Sequence, residues 1–112
     1  MNFSVIPSDK FKKEARRLIK KFPSLKAELT KLAKTLSAEP TSGTALGEGL
    51  YKIRLAIKSK GKGKSGGARV ITYVVTDEKE VYLLTIYDKS ELANVDDKTL
   101  TQILKTLNTN TE

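Results

Sequence analysis

The sequence predicts an α+β domain in which helices pack on one face of an antiparallel sheet. Apolar residues recur at helical spacing in the first third of the chain and near its end, whereas between residues 51 and 57 they alternate at every second position. A segment with glycines and a proline separates the two kinds of pattern. With 112 residues, the chain has the size of a single domain with one modest core, so we expect residues 1–112 to form one unit.

The first half of the chain predicts a strand followed by a helical hairpin. A short apolar run over residues 3–6 is typical of a strand, and Pro7 ends it. Ser8 or Asp9 can cap the first helix, and Pro23 marks the corner between the two helices. The predicted inward stripes are Phe11, Ala15, Leu18, Ile19 and Phe22 on the first helix, and Leu25, Leu29, Leu32, Ala33 and Leu36 on the second.

The second half predicts three strands and a closing helix. Residues 38–49 hold several glycines and few apolar residues, which favours a loop. The alternating segment after this loop predicts a strand with an apolar face toward the core and a cationic face toward solvent. Two β-rich runs follow over residues 68–75 and 81–87, joined by a polar turn. The closing helix has Asp96 or Asp97 as its cap and Leu100, Ile103, Leu104 and Leu107 as its apolar stripe, and residues 108–112 are predicted to be a frayed tail.

The predicted order of elements is therefore β-α-α-β-β-β-α. Charged residues are unevenly distributed along the chain. Lysine and arginine total 21 against 13 acidic residues, a formal net charge of +8, which favours partners that carry phosphate. Residues 49–76 contain no acidic residue. The cations of this stretch are Lys52, Arg54, Lys58, Lys60, Lys62, Lys64 and Arg69. The stretch predicts a hairpin that binds a polyanion, with RNA as the first candidate.

Composition excludes several kinds of chemistry. The chain has no cysteine and no histidine, so it lacks disulfides, thiolate metal sites and the commonest general base. We expect neither a metal site nor a small-molecule cofactor. Gly63-Lys64-Ser65 is not a nucleotide-binding P-loop, because that motif needs a glycine where Lys58 stands and must lead from a strand into a helix. Residues 1–7 resemble neither a signal peptide nor a membrane span, which predicts a cytoplasmic protein without membrane contact.

Three segments, taken in their order along the chain, resemble a known family. Residues 49–56 read GLYKIRLA, residues 66–71 read GGARVI, and residues 82–91 read YLLTIYDKSE. This set is similar to the toxins of the RelE/ParE superfamily of bacterial toxin-antitoxin systems, and most similar to the RelE and HigB-like branch. The preceding helical hairpin and the short closing helix also fit the order of elements in that family.

The resemblance implies an activity and partners. It implies a metal-independent endoribonuclease that cleaves mRNA on the translating ribosome, by attack of a ribose 2′-hydroxyl on the adjacent phosphate, and so inhibits translation. It also implies a cognate antitoxin protein as the partner, in addition to the ribosome and mRNA. Lysine, arginine and tyrosine can supply the base, the acid and the charge stabilisation that this reaction needs.

The same resemblance implies the site residues. The basic pair of the family's second strand falls on Lys52 and Arg54, and the arginine that opens its third strand falls on Arg69. Arg54 and Arg69 are assigned to phosphate, because a guanidinium is permanently charged and can bind in a bidentate manner. Tyr87 and Lys89 complete the candidate catalytic set near the end of the last strand. The loop lysines Lys58, Lys60, Lys62 and Lys64 are candidate RNA-binding residues.

Simpler interpretations stay open at this point. Arg69 could pair with Asp88 or Glu91 across the sheet, Tyr87 could be an ordinary strand residue, and Lys89 could be solvated. The lysines and arginines of the first helix fit a solvated face as well as a nucleic-acid contact. Two other functions also compete: a gyrase-targeting, ParE-like toxin, and a basic RNA-binding module without catalysis.

Overall fold

The computed structural model describes residues 2–60 and 66–91, together with Gln102 and Lys105. Strand β1 (Ser4–Pro7) leads into helix α1 (Asp9–Lys21) and helix α2 (Leu25–Ala38). Of the two predicted caps, Ser8 is the one that acts: its Oγ accepts a hydrogen bond from the backbone N–H of Phe11 at 3.1 Å. The predicted helical hairpin is therefore present.

Four further strands complete a single sheet: β2 (Thr44–Gly47), β3 (Leu50–Leu55), β4 (Ala68–Val75) and β5 (Glu80–Asp88), with a short 3-10 turn over Lys58–Lys60. The strand order is β1-β5-β4-β3-β2. Strands β2 to β5 pair in antiparallel fashion, and the three strands predicted in the second half are all present. No helix in the described part of the chain is long and apolar enough to cross a membrane.

The sheet differs from the predicted one in two respects. Strand β1 runs parallel to β5, so the sheet is mixed rather than wholly antiparallel. Strand β2 lies inside the segment predicted as a loop. The sequence did not reveal it because its four residues are all exposed and show no apolar alternation. Of the predicted closing helix, only Gln102 and Lys105 are described, both in helical conformation, and its caps, its apolar stripe and the predicted tail lie outside the described residues.

The main core lies between the two helices and one face of the sheet. Phe11, Leu18 and Leu36 of the helices pack there with Val70 and Ile86 of the sheet. All of the predicted inward residues of the two helices pack in or against this core except Ala33, which is half-buried and is not part of it. A second, smaller cluster contains Leu50, Ile71, Leu84 and Tyr87 and no residue of α1 or α2. It marks the opposite side of the sheet, which we call the outer face.

Strand β5 carries a bulge that changes which residues reach the outer face. Ile71 of β4 stands opposite Thr85, but the next residue, Thr72, stands opposite Leu83, so Leu84 is the extra residue. Leu83 and Ile86 both belong to the main core although they are three positions apart, which a regular strand would not allow. The bulge therefore shifts the alternation of β5 just before Tyr87.

Candidate active site

Three of the predicted site residues form one row across the outer face. In the β3-β4 pairing Arg54 stands directly opposite Arg69, and in the β4-β5 pairing Arg69 stands directly opposite Tyr87. Directly opposite residues of antiparallel strands project from the same face with Cβ atoms roughly 5 Å apart. The three side chains therefore leave the sheet side by side, although their positions in the sequence are far apart. We call Arg54, Arg69 and Tyr87 the site row.

Lys52 and Arg54 supply the accessible positive charge. They are two positions apart on β3 and so share a face, as the alternating pattern predicted. Arg54 is exposed, whereas Lys52 is half-buried and stands opposite Ile71. A phosphate approaching the outer face would meet Arg54 before it meets Arg69.

Arg69 and Tyr87 are the buried members of the row. Arg69 is only 3% exposed and donates a hydrogen bond from Nη1 to the carbonyl oxygen of Ala68 at 3.1 Å. Tyr87 is 6% exposed and packs in the outer-face cluster. Arginine is seldom buried this deeply, since a charge leaves water at a large cost. Arg69 and Tyr87 are therefore buried at directly opposite positions of β4 and β5, and the hydrogen bond to Ala68 orients the Arg69 guanidinium before a ligand arrives.

Lys89 lies in a well-anchored turn after β5. Its backbone N–H donates to the carbonyl oxygen of Gly67 at 3.1 Å, while its side chain is exposed. The carboxylate of Asp88, which is 1% exposed, accepts a hydrogen bond from the backbone N–H of Ser90 at 2.9 Å. Asp88 thus orders the turn that carries Lys89.

Helix α1 holds the far end of this turn. Arg17 donates two hydrogen bonds to the Glu91 carboxylate, at 2.8 and 3.2 Å, and the Lys21 ammonium lies 3.8 Å from it. The hydrogen bond from Arg17 lowers the pKa of Glu91 and raises that of Arg17. Glu91 therefore forms its ion pairs with α1, and not with Arg69 as the simpler interpretation suggested.

The predicted RNA-binding lysines are only partly described. Lys58 is exposed, and its backbone N–H donates to Glu28 Oε2 at 2.8 Å. Lys60 ends the short 3-10 turn, and its side chain lies outside the described residues. Lys62 and Lys64 also lie outside them. What the described part shows is that the loop departs from the same end of the hairpin as the site row.

A cleft of about 530 Å³ separates α2 from β3 beside the site row. Its apolar lining includes Leu32, Ile53 and Leu55, and three cations stand around it: Lys31, Arg54 and Lys58. The one acidic residue of its lining, Glu28, already accepts hydrogen bonds from Ser24 Oγ and from the Lys58 N–H. Arg54 therefore belongs both to this cleft and to the site row.

Within the described part of the chain, no three acidic side chains cluster closely enough to hold a metal ion. A phosphate-bearing ligand at the site row would meet the guanidinium groups of Arg54 and Arg69, with the Lys52 ammonium on the same face. Tyr73 and Tyr82 pack against the outer-face cluster with their ring centroids 6.5 Å apart, and the Tyr82 hydroxyl donates to Glu80 at 2.7 Å. This hydrogen bond is the main cause that raises the pKa of Tyr82 to about 12.

Comparison with known proteins decides the family. Residues 7–111 match the family described as the RelE toxin of the RelE/RelB toxin-antitoxin system. This chain belongs to the RelE toxin family. The structure of a free-state mutant of the E. coli toxin RelE has the same fold: it superimposes with a TM-score of 0.63 at 16% identity, over 95% of this chain and 98% of that one. The predicted α+β fold and the predicted toxin class are confirmed.

In this RelE-family toxin, Ser8 and Glu14 also shape the site through contacts with β5 that the sequence patterns did not predict. Ser8 Oγ donates to the carbonyl oxygen of Leu84 at 3.1 Å, and the Ser8 N–H donates to that of Leu83 at 3.0 Å. Glu14 Oε1 accepts from Thr85 Oγ1 at 2.7 Å and from the Ile86 N–H at 3.2 Å. The one signal in the sequence was that Glu14 is the sole acidic residue between Lys10 and Lys21, within an otherwise basic helix.

Proposed function

We propose that this RelE-family toxin is an endoribonuclease that cleaves mRNA on the translating ribosome, in the cytoplasm, without a metal ion. The observation that carries the proposal is the site row on the outer face: two guanidinium groups and a phenol project together from three neighbouring strands. Membership of the RelE toxin family supports an RNA target.

The proposed reaction is transfer of the phosphate to the neighbouring 2′-oxygen. A side chain of the site accepts the 2′-hydroxyl proton, O2′ forms a bond to phosphorus, and the bond from phosphorus to the 5′-oxygen breaks as that oxygen gains a proton. The products are a 2′,3′-cyclic phosphate and a 5′-hydroxyl. Arg54 and Arg69 stabilise the charge that builds on the phosphate oxygens. Lys52, Tyr87 and Lys89 are the candidates for moving the two protons and for stacking on a base.

The test is induced expression of the wild type beside an Arg54→Gln, Arg69→Lys double variant, with transcript ends mapped during growth arrest. Arg69→Lys keeps the buried charge but not the bidentate geometry, so this variant should stay folded. Cuts confined to translated frames in the wild type and missing in the variant are the expected result. A matched control, Lys26→Gln with Lys34→Gln, removes two exposed cations of α2 and should leave the cuts unchanged.

Two results would contradict the proposal. Growth arrest with uncut transcripts and induction of the DNA-damage response would indicate a gyrase-directed toxin. RNA binding without cleavage products or growth arrest would indicate a basic RNA-binding module.

We further propose that the antitoxin neutralises this toxin by occupying the cleft between α2 and β3. The cleft combines an apolar floor with three cations, which suits an acidic segment with apolar side chains. Because Arg54 lines both the cleft and the site row, a partner seated there would take Arg54 away from RNA.

The cleft proposal can be tested with the protein encoded beside this toxin's gene. Lys31→Glu reverses a charge at the cleft and should abolish co-purification of the two proteins while cleavage persists. Lys34→Glu, an exposed lysine on the same helix that does not line the cleft, should still co-purify. Equal binding by both variants would place the antitoxin elsewhere.

A further inference from the structure

The bulge of β5 decides where Tyr87 points. Between Val81 and Leu83 the odd-numbered residues face the main core. Continued without a bulge, that alternation would place Tyr87 among the core residues, and Ile86 would face the outer side. The extra residue, Leu84, reverses the alternation, so Ile86 fills the core and Tyr87 joins the outer-face cluster.

A bulge removes backbone groups from regular pairing, and these groups need other partners. Three backbone groups of β5 around the bulge bond to Ser8 and Glu14, and the first of these bonds continues the parallel pairing of β1 with β5. The carbonyl oxygens of Leu83 and Leu84 accept hydrogen bonds from Ser8, and the Ile86 N–H donates to Glu14. Ser8 and Glu14 thus bind backbone groups before, within and after the irregular step of β5.

Glu14 makes a second contact that is specific to the bulge. The same Oε1 atom that accepts from the Ile86 N–H also accepts from Thr85 Oγ1 at 2.7 Å, and so draws Thr85 toward α1. Its other oxygen, Oε2, lies 2.6 Å from the Lys10 ammonium at the surface. An exposed ion pair within one helix turn contributes little to stability. The oxygen that faces β5 is therefore the one with structural consequence.

We infer that Glu14, assisted by Ser8, is a positioning residue. It fixes which residues of β5 face the outer side of the sheet and thereby keeps Tyr87 in one row with Arg69 and Arg54. The inference rests on the proposed function in assigning the site row to RNA cleavage. The placement of Tyr87 is a structural matter that can be measured without any activity. Misplacing a reacting group by about 1 Å can cost roughly a hundredfold in rate, so the effect on cleavage should be large.

The experiment compares Glu14→Ala, Glu14→Gln and Lys10→Ala in the full-length toxin, labelled with ¹³C-tyrosine. The chain has four tyrosines, and Tyr87→Phe identifies the signal of Tyr87. In Glu14→Ala the magnetisation transfer between the Tyr87 ring and the Arg69 side chain should disappear, whereas the contact between Tyr73 and Tyr82 should persist. Glu14→Gln keeps an oxygen that can accept both hydrogen bonds, and Lys10→Ala removes only the exposed ion pair, so both should resemble the wild type.

Cleavage is then measured under single-turnover conditions on programmed ribosomes. For Glu14→Ala the rate at saturation should fall by roughly tenfold to a hundredfold with an unchanged half-saturating concentration, because Arg54 still binds the phosphate. The rate should return in Glu14→Gln. An unchanged Tyr87 contact in Glu14→Ala, or a Glu14→Gln variant as impaired as Glu14→Ala, would overturn the inference.

A second variant covers the case in which Glu14→Ala does not fold. Thr85→Val keeps the size of the side chain but removes the hydroxyl donor to Glu14. It should weaken the contact between Tyr87 and Arg69, and an unweakened contact would overturn the inference. If the wild type cleaves no mRNA, the proposed function fails, and the Tyr87 contact still decides whether Glu14 sets its position.

Discussion

At the scale of single residues, the site row places like charges directly opposite each other. Arg54 and Arg69 face one another across β3 and β4, and Arg69 is 3% exposed. Like charges in opposite positions destabilise a sheet, and proteins tolerate such local conflicts mainly at functional sites. The proposed function gives this pair a role, because one phosphate would bind both guanidinium groups.

Arg54→Gln should therefore stabilise the fold while it removes activity. We expect the free energy of unfolding to rise by roughly 0.2–1 kcal/mol, toward the lower end because Arg54 is exposed and water screens its charge. Urea denaturation at low salt measures the change. Lys34→Gln, which removes an exposed cation from α2, serves as the control. A variant no more stable than this control would contradict the repulsion.

At the scale of elements, the backbone approaches β3 closely at Gly67, the residue before β4 begins. Gly67 lies against the backbone of β3, and a Cβ atom at this position would collide with the carbonyl oxygen of Leu55. The carbonyl oxygen of Gly67 also accepts the hydrogen bond from Lys89. One glycine thus sets both the spacing of the two strands near the site row and the anchor of the Lys89 turn.

Gly67→Ala should push the strands apart and lower the free energy of unfolding by roughly 1–3 kcal/mol, the usual cost of an overpacked position. It should also reduce cleavage, because Arg54 and Arg69 would separate. Thermal unfolding and a cleavage assay measure the two effects. Gly47→Ala is the comparison: its φ of +96° strains an alanine, but nothing lies within 4 Å of the added atom, so cleavage should persist there.

The contact between Arg17 and Glu91 joins α1 to the end of β5, and its contribution should depend on pH. The pKa of Glu91 is lowered from 4.5 by the hydrogen bond from Arg17. A carboxyl group whose pKa is lower in the folded protein than in the unfolded protein stabilises the fold at any pH above its unfolded-state pKa. This stability is lost as the pH falls through its folded-state pKa. The wild type should thus have a higher free energy of unfolding than Glu91→Gln at neutral pH, and this difference should decrease as the pH falls below 4.5.

Thermal unfolding between neutral and acidic pH measures this difference. Glu39→Gln is the control, because Glu39 is exposed and the described residues show no ion pair for it. The difference in unfolding free energy between wild type and Glu39→Gln should not decrease on acidification. The difference should be small at high salt, since the charges of Arg17 and Glu91 are largely exposed. A difference that grows on acidification would contradict the assignment.

At the scale of the whole molecule, positive charge lies on both sides of the sheet among the described residues. Lys52 and Arg54 are on the outer face, whereas Lys12, Arg16 and Lys20 line a groove of about 480 Å³ beside α1, on the helical side. A short single strand bound at the site row cannot also reach the helical side. The two surfaces should therefore respond differently to the same loss of charge.

Two matched variants separate these surfaces. Lys52→Gln with Arg54→Gln, and Lys12→Gln with Arg16→Gln, each remove two positive charges from the net +8. Only the first should flatten the salt dependence of binding to a short RNA, by about 0.7 in log-log slope for each phosphate that the protein no longer neutralises. Fluorescence anisotropy over a range of salt concentrations measures both slopes. Equal flattening would mean that net charge alone controls binding.

Much of the fold followed from local patterns. The helical stripes, the cap at Ser8 and the alternation of β3 each arise from neighbouring residues, so a single sequence reveals them. The cationic face with Lys52 and Arg54 followed from the same alternation. Strand β2 was missed because its four residues are exposed and held only by pairing with β3.

Which distant residues meet depends on tertiary contacts. The parallel pairing of β1 with β5, the burial of Arg69 and the site row with Tyr87 all depend on the register between strands far apart in the chain. Register is set by packing and by irregularities such as the bulge at Leu84, and no local sequence pattern predicted the position of this bulge. Local sequence thus accounts for the elements and the basic hairpin, whereas contacts from α1 to β5 determine which side of the sheet Tyr87 occupies.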